Sequence, residues 1–244
     1  MTVKQEMARR TRRSFLTGGA AALLGASAWE WLRTRREDDG EPWPLRLGLR
    51  ADEQISRDFF SEARLARTFK TAEAQAPKPN GKVGLDDPVP ADWSLTLEGF
   101  VNSGDDVTVT MDQIHALPKT ELVAELKCIE GWRTVVHWGG VRFRDFAERF
   151  GDGPFSRNAY IGMETPDGEY YVGLDLPSAM HPQTILAYEM NGAPLTAEHG
   201  APLRLAIPVK YGIKNIKRIG KITYATARPR DYWAEDGYDW YAGF

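Results

Sequence analysis

Residues 125–132 read Glu-Leu-Lys-Cys-Ile-Glu-Gly-Trp, and they include Cys128, the only cysteine in the 244-residue chain. A lone cysteine cannot close a disulfide within its own chain, so it is inert, paired with another chain, or reactive. Many free cysteines are simply small buried hydrophobes. Here the apolar run 122–126 predicts a strand that ends near Cys128, and Gly131 predicts a turn after it. Sites are commonly built where strands end, and thiolates are soft metal ligands, so Cys128 is the first candidate for a metal-binding or reactive residue.

The N-terminal residues 1–32 have the composition of a targeting segment. Four arginines lie between residues 9 and 13, a weakly apolar stretch follows over 15–28, and Ala26-Ser27-Ala28 fits a signal-peptide cleavage site. The run 11–16, Thr-Arg-Arg-Ser-Phe-Leu, resembles the twin-arginine export signal, which implies a periplasmic protein exported with its cofactor already in place. The alternatives are an uncleaved membrane anchor and a basic tail before an ordinary helix.

The remainder of the chain is acidic. Residues 1–28 hold five of the 31 basic residues and one of the 34 acidic residues, so the rest carries a net charge of −7. This balance argues against nucleic acid as a partner. The length suits one sizeable hydrophobic core, and the aromatic content is typical of a packed globular protein.

Residues 33–90 read as an irregular N-terminal arm. Apolar spacing at Ile55 and Phe59 predicts a helix over 52–70. The stretch 76–85 contains two prolines and two glycines, which exclude regular structure and allow a ligand to approach the backbone closely. A plain surface linker is the alternative reading of this stretch.

Residues 91–244 predict an α+β domain with mixed β-sheets, because short helices and strands alternate without regular βαβ spacing. A capping-box pattern starts a helix over 110–116, and Gly139-Gly140 predicts a turn after a strand at 135–138. Thr165-Pro166-Asp167-Gly168 predicts a turn between two strands. The remaining strands are expected at 93–97, 107–109, 159–164, 169–174 and 203–207, with a helix over 142–150.

Two further stretches carry candidate anion-binding residues. His199 and Arg204 flank a Gly-Ala-Pro turn, and a guanidinium group pairs well with phosphate. Residues 210–217 hold three lysines and a glycine between apolar strands, and lysines with backbone N–H groups can hold an anion. Each stretch has an ordinary alternative: an exposed histidine, a solvated arginine, or a solvated basic loop.

Together these stretches resemble the sulfite oxidase superfamily of molybdenum enzymes, nearest its periplasmic methionine sulfoxide reductase branch, over roughly residues 75–244. The resemblance implies a sulfite-oxidase-type fold and a molybdopterin cofactor whose molybdenum is ligated by Cys128, the catalytic residue. It implies oxo transfer to or from a small substrate. The cofactor contacts that it implies are Asn80, Val83, Gly84, Thr165, His199, Arg204, Asn215, Ile216 and Lys217.

Some features depart from that superfamily. His199 is the form found in sulfite oxidases, whereas the reductase branch often has asparagine, so the direction of oxo transfer stays open. The chain ends at Phe244 without the immunoglobulin-like dimerisation domain of sulfite oxidases, which predicts a monomer. It has no Cys-x-x-Cys-His run for a c-type haem, so a separate redox partner is expected, either a membrane haem protein or a soluble cytochrome.

Two other classes of function are kept open. Cys128 and His199 could act as nucleophile and base of a hydrolase. A non-catalytic module that binds a cofactor or a partner is the other alternative. The residues nearest in sequence that could line a substrate pocket are Glu130, Trp132, His137 and Tyr211.

Overall fold

The computed structural model describes residues 3–38, 40–85, 88–89, 92–99, 106–151 and 158–243. The chain forms two compact units, residues 1–51 and 52–244. In the first unit, α1 (Val3–Arg33) is followed by a short hairpin of β1 (Glu37–Asp38) and β2 (Glu41–Pro42), and the boundary falls within α2 (Trp43–Phe59). No helix among the described residues has the length and apolar character needed to cross a membrane. The predicted boundary at residues 90–91 lies outside the described residues.

The second unit contains most of the regular structure. Its helices are α3 (Met111–His115), α4 (Phe143–Phe150), α5 (Leu176–Ala179) and α6 (Tyr232–Glu235), with 3₁₀ turns at Thr71–Glu73, Ala197–His199 and Gly212–Lys214. Its strands are β3 (Ser94–Glu98), β4 (Val107–Thr110), β5 (Thr120–Lys127), β6 (Arg133–Arg142), β7 (Tyr160–Glu164), β8 (Tyr171–Asp175), β9 (Ile185–Met190), β10 (Ala193–Pro194), β11 (Arg204–Ala206) and β12 (Lys221–Ala225).

These strands form two five-stranded sheets. One has the order β10-β9-β6-β5, with β11 also paired to β9, and the other has the order β4-β3-β12-β7-β8. The β3–β12 pair is parallel and the other described pairs are antiparallel. The predicted α+β class with mixed sheets is therefore confirmed.

Alternating burial explains how these elements pack. Leu95 and Leu97 of β3 are fully buried and point to the same face, as expected for a half-buried strand. Phe143 and Phe146 of α4 are also fully buried and join them in the larger core. A smaller core, which includes Val136 of β6, packs beside β5 and β9.

Several local predictions are confirmed. Thr110 caps α3 with a capping box, in which its hydroxyl accepts from the N–H of Gln113. The Thr165–Gly168 turn joins β7 to β8, with the Gly168 N–H donating to the Thr165 carbonyl at 2.9 Å. The helix predicted over 142–150 is α4.

The turn predicted at Gly139-Gly140 is wrong, because β6 continues through both glycines with a β-bulge between them. A side chain at Gly140 would collide with the Leu186 carbonyl oxygen of β9. These glycines therefore serve close strand packing and not chain reversal.

The helix predicted over 52–70 is also wrong in position. It is α2, which starts at Trp43 with Pro44 in its first turn, where proline is favoured. Residues 60–75, here called the pinned segment, follow α2 and lie beside β5 of the same unit. The Phe69 N–H donates to the Val123 carbonyl of β5 at 3.0 Å, a long-range contact that local spacing cannot reveal.

Candidate functional site

Cys128 lies in the tight connection between β5 and β6. Its N–H donates to the Trp132 carbonyl at 2.9 Å, and the Gly131 N–H donates back to the Cys128 carbonyl at 3.1 Å. Gly131 has a φ of +85°, a left-handed conformation that glycine adopts without strain. The sequence therefore places the thiol at a fixed position just beyond the end of a strand.

The Cys128 thiol is surrounded by polar side chains. Its Sγ lies 3.8 Å from both Asn80 Nδ2 and Glu130 Oε2. The Glu130 carboxylate also accepts from Trp132 Nε1 at 2.8 Å and from Asn80 Nδ2 at 3.2 Å, so it holds both neighbours in place. Burial, aided by the charge of Glu130, raises the pKa of the Cys128 thiol.

Arg204 begins β11 and connects two loops of the site. Its Nη1 donates to the His199 carbonyl at 3.0 Å and its Nη2 donates to the Asn215 carbonyl at 3.2 Å. The guanidinium lies 4.8 Å from the centre of the Trp138 ring, and no described carboxylate pairs with it. Burial lowers the pKa of Arg204 to about 10, and its Nε has no hydrogen-bond partner among the described residues.

Lys217 ties together the loops that carry Asn80 and His199. Its ammonium donates to the carbonyls of Asn80 at 2.6 Å, Gly81 at 3.0 Å and Glu198 at 2.8 Å. An ammonium has three donors, so all of them are used by backbone carbonyls. Burial and the nearby Arg204 lower the pKa of Lys217 to about 8. Burial, followed by the charges of Arg204 and Lys217, also lowers the pKa of His199.

Asn215 is similarly engaged with the backbone. Its Oδ1 accepts from the Ile207 N–H at 2.9 Å, and its Nδ2 donates to the Tyr211 carbonyl at 3.1 Å. The amide thus fixes the turn that follows the 3₁₀ helix at Gly212–Lys214. Arg204, Lys217 and Asn215 therefore shape the loops of the site as well as its charge.

A cavity of about 300 Å³, the site cavity, brings most of the predicted residues together. Seven of the predicted site residues line it: Asn80, Val83, Cys128, His199, Arg204, Asn215 and Lys217. Gly84, Thr165 and Ile216 are not among its lining residues. Gly84 packs against Thr165, where a Cβ would lie 2.5 Å from the threonine Cγ2, and Ile216 is buried in the larger core.

Other lining residues were only partly anticipated. Glu130 and Trp132 line the site cavity, whereas His137 and Tyr211 do not. The His137 Nε2 instead lies 3.5 Å from a carboxylate oxygen of Glu121. Sequence reasoning missed an aromatic wall formed by Tyr170, Tyr232, Trp233 and Tyr238. The density of aromatic residues over 232–241 was the available signal for it.

The lining chemistry defines a class of protein. It combines the Cys128 thiol with the buried guanidinium of Arg204, which has no carboxylate partner among the described residues, and with the ammonium of Lys217. Among the described residues, no three His, Cys, Asp or Glu side chains form a cluster that could hold a metal ion. A metal held by Cys128 would therefore take its other ligands from an anionic organic cofactor, which the cationic side chains suit. The site is therefore that of a protein that binds an anionic, metal-bearing cofactor.

Residues 81–233 match the family described as "Oxidoreductase molybdopterin binding domain". The chain belongs to this family and is a molybdopterin-binding oxidoreductase that uses the molybdenum cofactor. The residues of the site cavity fit that cofactor, because Cys128 supplies a sulfur donor for molybdenum and Arg204, whose Nε has no hydrogen-bond partner among the described residues, lines the same cavity.

Two relatives match nearly the whole chain. A candidate protein-methionine-sulfoxide reductase subunit, YedZ1, from Azospira oryzae is 31% identical over 95% of this chain and 86% of its own length. The protein-methionine-sulfoxide reductase catalytic subunit MsrP from Campylobacter jejuni is 28% identical over 99% of this chain and 83% of its own.

A solved structure shares the fold. The sulfane dehydrogenase SoxCD from Paracoccus pantotrophus matches with a TM-score of 0.50 and 19% identity, over 56% of this chain and 39% of that chain. This likeness concerns the fold alone, and it confirms the predicted sulfite-oxidase-type architecture.

The hydrolase alternative is not supported. A nucleophilic cysteine needs a base within hydrogen-bond reach and a lowered pKa. The Cys128 thiol instead contacts Asn80 and Glu130, and its pKa is raised. Membership of an oxidoreductase family also disfavours the non-catalytic alternative.

Proposed function

We propose that this protein reduces S-oxides, methionine sulfoxide in proteins foremost, at a molybdenum ligated by Cys128. The observation that carries this proposal is the convergence of Cys128, Arg204 and Lys217 on one cavity. The names of the two long relatives, both sulfoxide reductase subunits, support the direction of reaction. The bound cofactor would supply two-electron oxo transfer.

In this proposal the protein holds and orients the cofactor. The Cys128 sulfur would ligate the metal. Arg204 and His199 would hold the anionic part of the pterin, and Asn215 and Lys217 fix the loops around the site cavity. Asn80, Val83 and Gly84 contribute from the loop 77–84, while Thr165 and Ile216 support that loop and the core behind it. Glu130, the only carboxylate among the described residues that line the site cavity, would hold Asn80 and Trp132 in place beside Cys128.

The aromatic wall suits a methionine-type side chain. Trp233 packs edge-on against Tyr232 and Tyr238, with ring centres 5.6 Å and 5.1 Å away, and its Nε1 donates to the Tyr170 hydroxyl at 3.1 Å. These ring contacts and this hydrogen bond hold the aromatic rings in fixed orientations. Sulfur and its methyl groups pack favourably against aromatic rings, so this wall supports a methionine-derived substrate.

We also propose that the protein is exported to the periplasm through Arg12 and Arg13, and that it works as a single chain with a separate redox partner, a haem protein. The basis is the run Thr-Arg-Arg-Ser-Phe-Leu at 11–16 and the word "subunit" in the names of both relatives. Changing both arginines to lysine keeps the charge but removes the guanidinium pair. The variant should stay in the cytoplasm, as measured by cell fractionation; unchanged periplasmic accumulation would refute the export route.

A substrate panel tests the reaction. Purified, molybdenum-loaded protein is given a reduced viologen dye and, separately, an oxidised methionine-containing protein, free methionine sulfoxide, an N-oxide and sulfite with an electron acceptor. Methionine formation in the oxidised protein, detected by mass spectrometry, should outpace the other reactions. Turnover of sulfite alone would overturn the proposal.

A further inference from the structure

Strand β5 separates two cavities. Side chains alternate across a strand, and here Leu126 and Cys128 line the site cavity whereas Glu125 and Lys127 line a second cavity of about 200 Å³. The second cavity therefore lies behind the metal-ligating residue, one peptide bond from it along the chain. Its other lining residues are Arg64, Leu65, Ala66, Arg67, Pro208 and Val209.

The outer wall of the second cavity is held in place by a buried side chain. The Ala66 N–H donates to Gln183 Oε1 at 2.7 Å, and Gln183 Nε2 donates back to the Ala66 carbonyl at 3.0 Å. Gln183 itself is 7% exposed. Beside it, Thr68 forms an isolated β-bridge with Ala124 of β5. The pinned segment thus builds a defined wall against the strand.

The second cavity is cationic. Arg64, Arg67 and Lys127 line it against one carboxylate, Glu125, which lies 3.5 Å from Arg133 outside the lining. This patch has the opposite sign to the chain outside residues 1–28, whose net charge is −7. A local reversal of charge steers an oppositely charged partner to one place on a surface.

Two of these cations are pre-organised. The guanidinium of Arg67 stacks 4.7 Å from the centre of the Phe69 ring, and that of Arg64 lies 5.8 Å from the Phe59 ring. Stacking restricts exposed arginines and leaves their edges available for carboxylates.

We propose that the second cavity is the docking site of an acidic one-electron carrier protein, whose surface carboxylates pair with Arg64 and Arg67. The proposal rests on the proposed function. Reduction of one S-oxide to the thioether consumes two electrons and two protons and releases one water, so the carrier is oxidised twice per turnover. Docking behind β5 brings the carrier beside the Lys127–Cys128 peptide and leaves the site cavity free for a protein substrate.

Arg67→Glu and Arg149→Glu form a matched pair for the test. Both arginines are exposed and stack on a phenylalanine, Arg149 at 4.9 Å from the Phe150 ring, but Arg149 lies on α4 and does not line the second cavity. The molybdenum-loaded proteins are mixed with a reduced acidic c-type cytochrome and excess methionine sulfoxide. Haem oxidation is followed by stopped flow at low and at high salt, and reduced methyl viologen serves as a small donor that needs no docking.

Arg67→Glu should slow cytochrome oxidation about tenfold at low salt, with the deficit shrinking at high salt, because screening weakens the lost attraction. Arg149→Glu should stay within about twofold of the unaltered protein, and all three proteins should turn over equally with viologen. Equal cytochrome rates for the two variants would overturn the docking site while leaving the reductase function intact. Absence of turnover by the unaltered protein with viologen would overturn the proposed function, and the docking site with it.

Discussion

Several polar side chains of the site cavity form hydrogen bonds with the backbone of its loops, so they fix those loops in place and leave fewer donors for a ligand. The resemblance places Lys217 in the phosphate-binding loop, yet its ammonium is saturated by the carbonyls of Asn80, Gly81 and Glu198. Gly200 allows this arrangement, because a Cβ there would lie 2.6 Å from the Lys217 Cβ. Lys217 therefore acts as a clamp between two loops that border the site cavity.

Replacing that clamp should loosen the loop 77–84. Lys217→Met keeps most of the side chain but removes three charge-assisted hydrogen bonds, each contributing about 1.5–3 kcal/mol. Amide hydrogen exchange of residues 77–84 should quicken by about tenfold or more, in protein with or without cofactor, and Lys217→Arg should restore much of the protection. Lys82→Met, at an exposed position of the same loop, is the control. Unchanged exchange in Lys217→Met would contradict the clamp.

At the scale of elements, predictions were confirmed where adjacent residues decide the structure and were wrong where distant partners decide it. The Thr110 cap and the Thr165–Gly168 turn depend on adjacent residues, so the sequence predicts them. The bulge at Gly139-Gly140 depends on β9, and the path of residues 60–75 depends on Gln183. Cys128, His199 and Arg204, which line the site cavity, could be located from the sequence, whereas the aromatic wall depends on how the C-terminal segment folds back.

Gln183 gives a direct test of that dependence. Gln183→Ala would leave the half-buried N–H and carbonyl of Ala66 without their partners on Gln183, at a cost of at most about 1–3 kcal/mol per group. We expect a lower free energy of unfolding in urea and faster exchange over residues 64–69. Gln54→Ala removes an exposed hydrogen bond to Asp58 within α2 and should change stability by less than about 0.5 kcal/mol. Equal effects of the two substitutions would argue against a pinned segment.

For the whole molecule, two buried lysines hold the C-terminal region to the body of the second unit. Lys214 donates to the Gly173 carbonyl at 2.9 Å and pairs with Asp231. Lys210 lies 3.1 Å from Asp175 and sits over the Tyr241 ring. Burial lowers the pKa of Lys210 to about 7, although Asp175 opposes that shift.

This pKa predicts a pH-dependent stability. Unfolded lysine has a pKa of about 10.4, so between about pH 7 and pH 10 the unfolded chain binds more protons than the folded one. Below about pH 7 the folded protein bears the full free-energy penalty of burying a charged lysine, and this penalty decreases as pH rises. The free energy of unfolding should therefore increase with pH, by at most roughly 1.4 kcal/mol per pH unit from this group. Measured by urea unfolding at several pH values, the free energy of unfolding of Lys210→Met should rise less with pH than that of the unaltered protein. Lys70→Met, which changes an exposed lysine, should show the same rise as the unaltered protein. Parallel curves for Lys210→Met and the unaltered protein would refute this account of Lys210.

The measurement that tests the central claim most directly is the electron spin resonance spectrum of molybdenum in Cys128→Ser protein. Serine is nearly isosteric, and Cys128 forms no disulfide, so the unfolding midpoint should stay close to that of the unaltered protein. Pterin content should be largely retained, because Arg204, Asn215 and Lys217 are unchanged. The molybdenum signal should shift, since a hard hydroxyl replaces the only protein thiolate, and turnover should collapse. An unchanged molybdenum signal in active Cys128→Ser protein would contradict the assignment of Cys128 as the metal ligand.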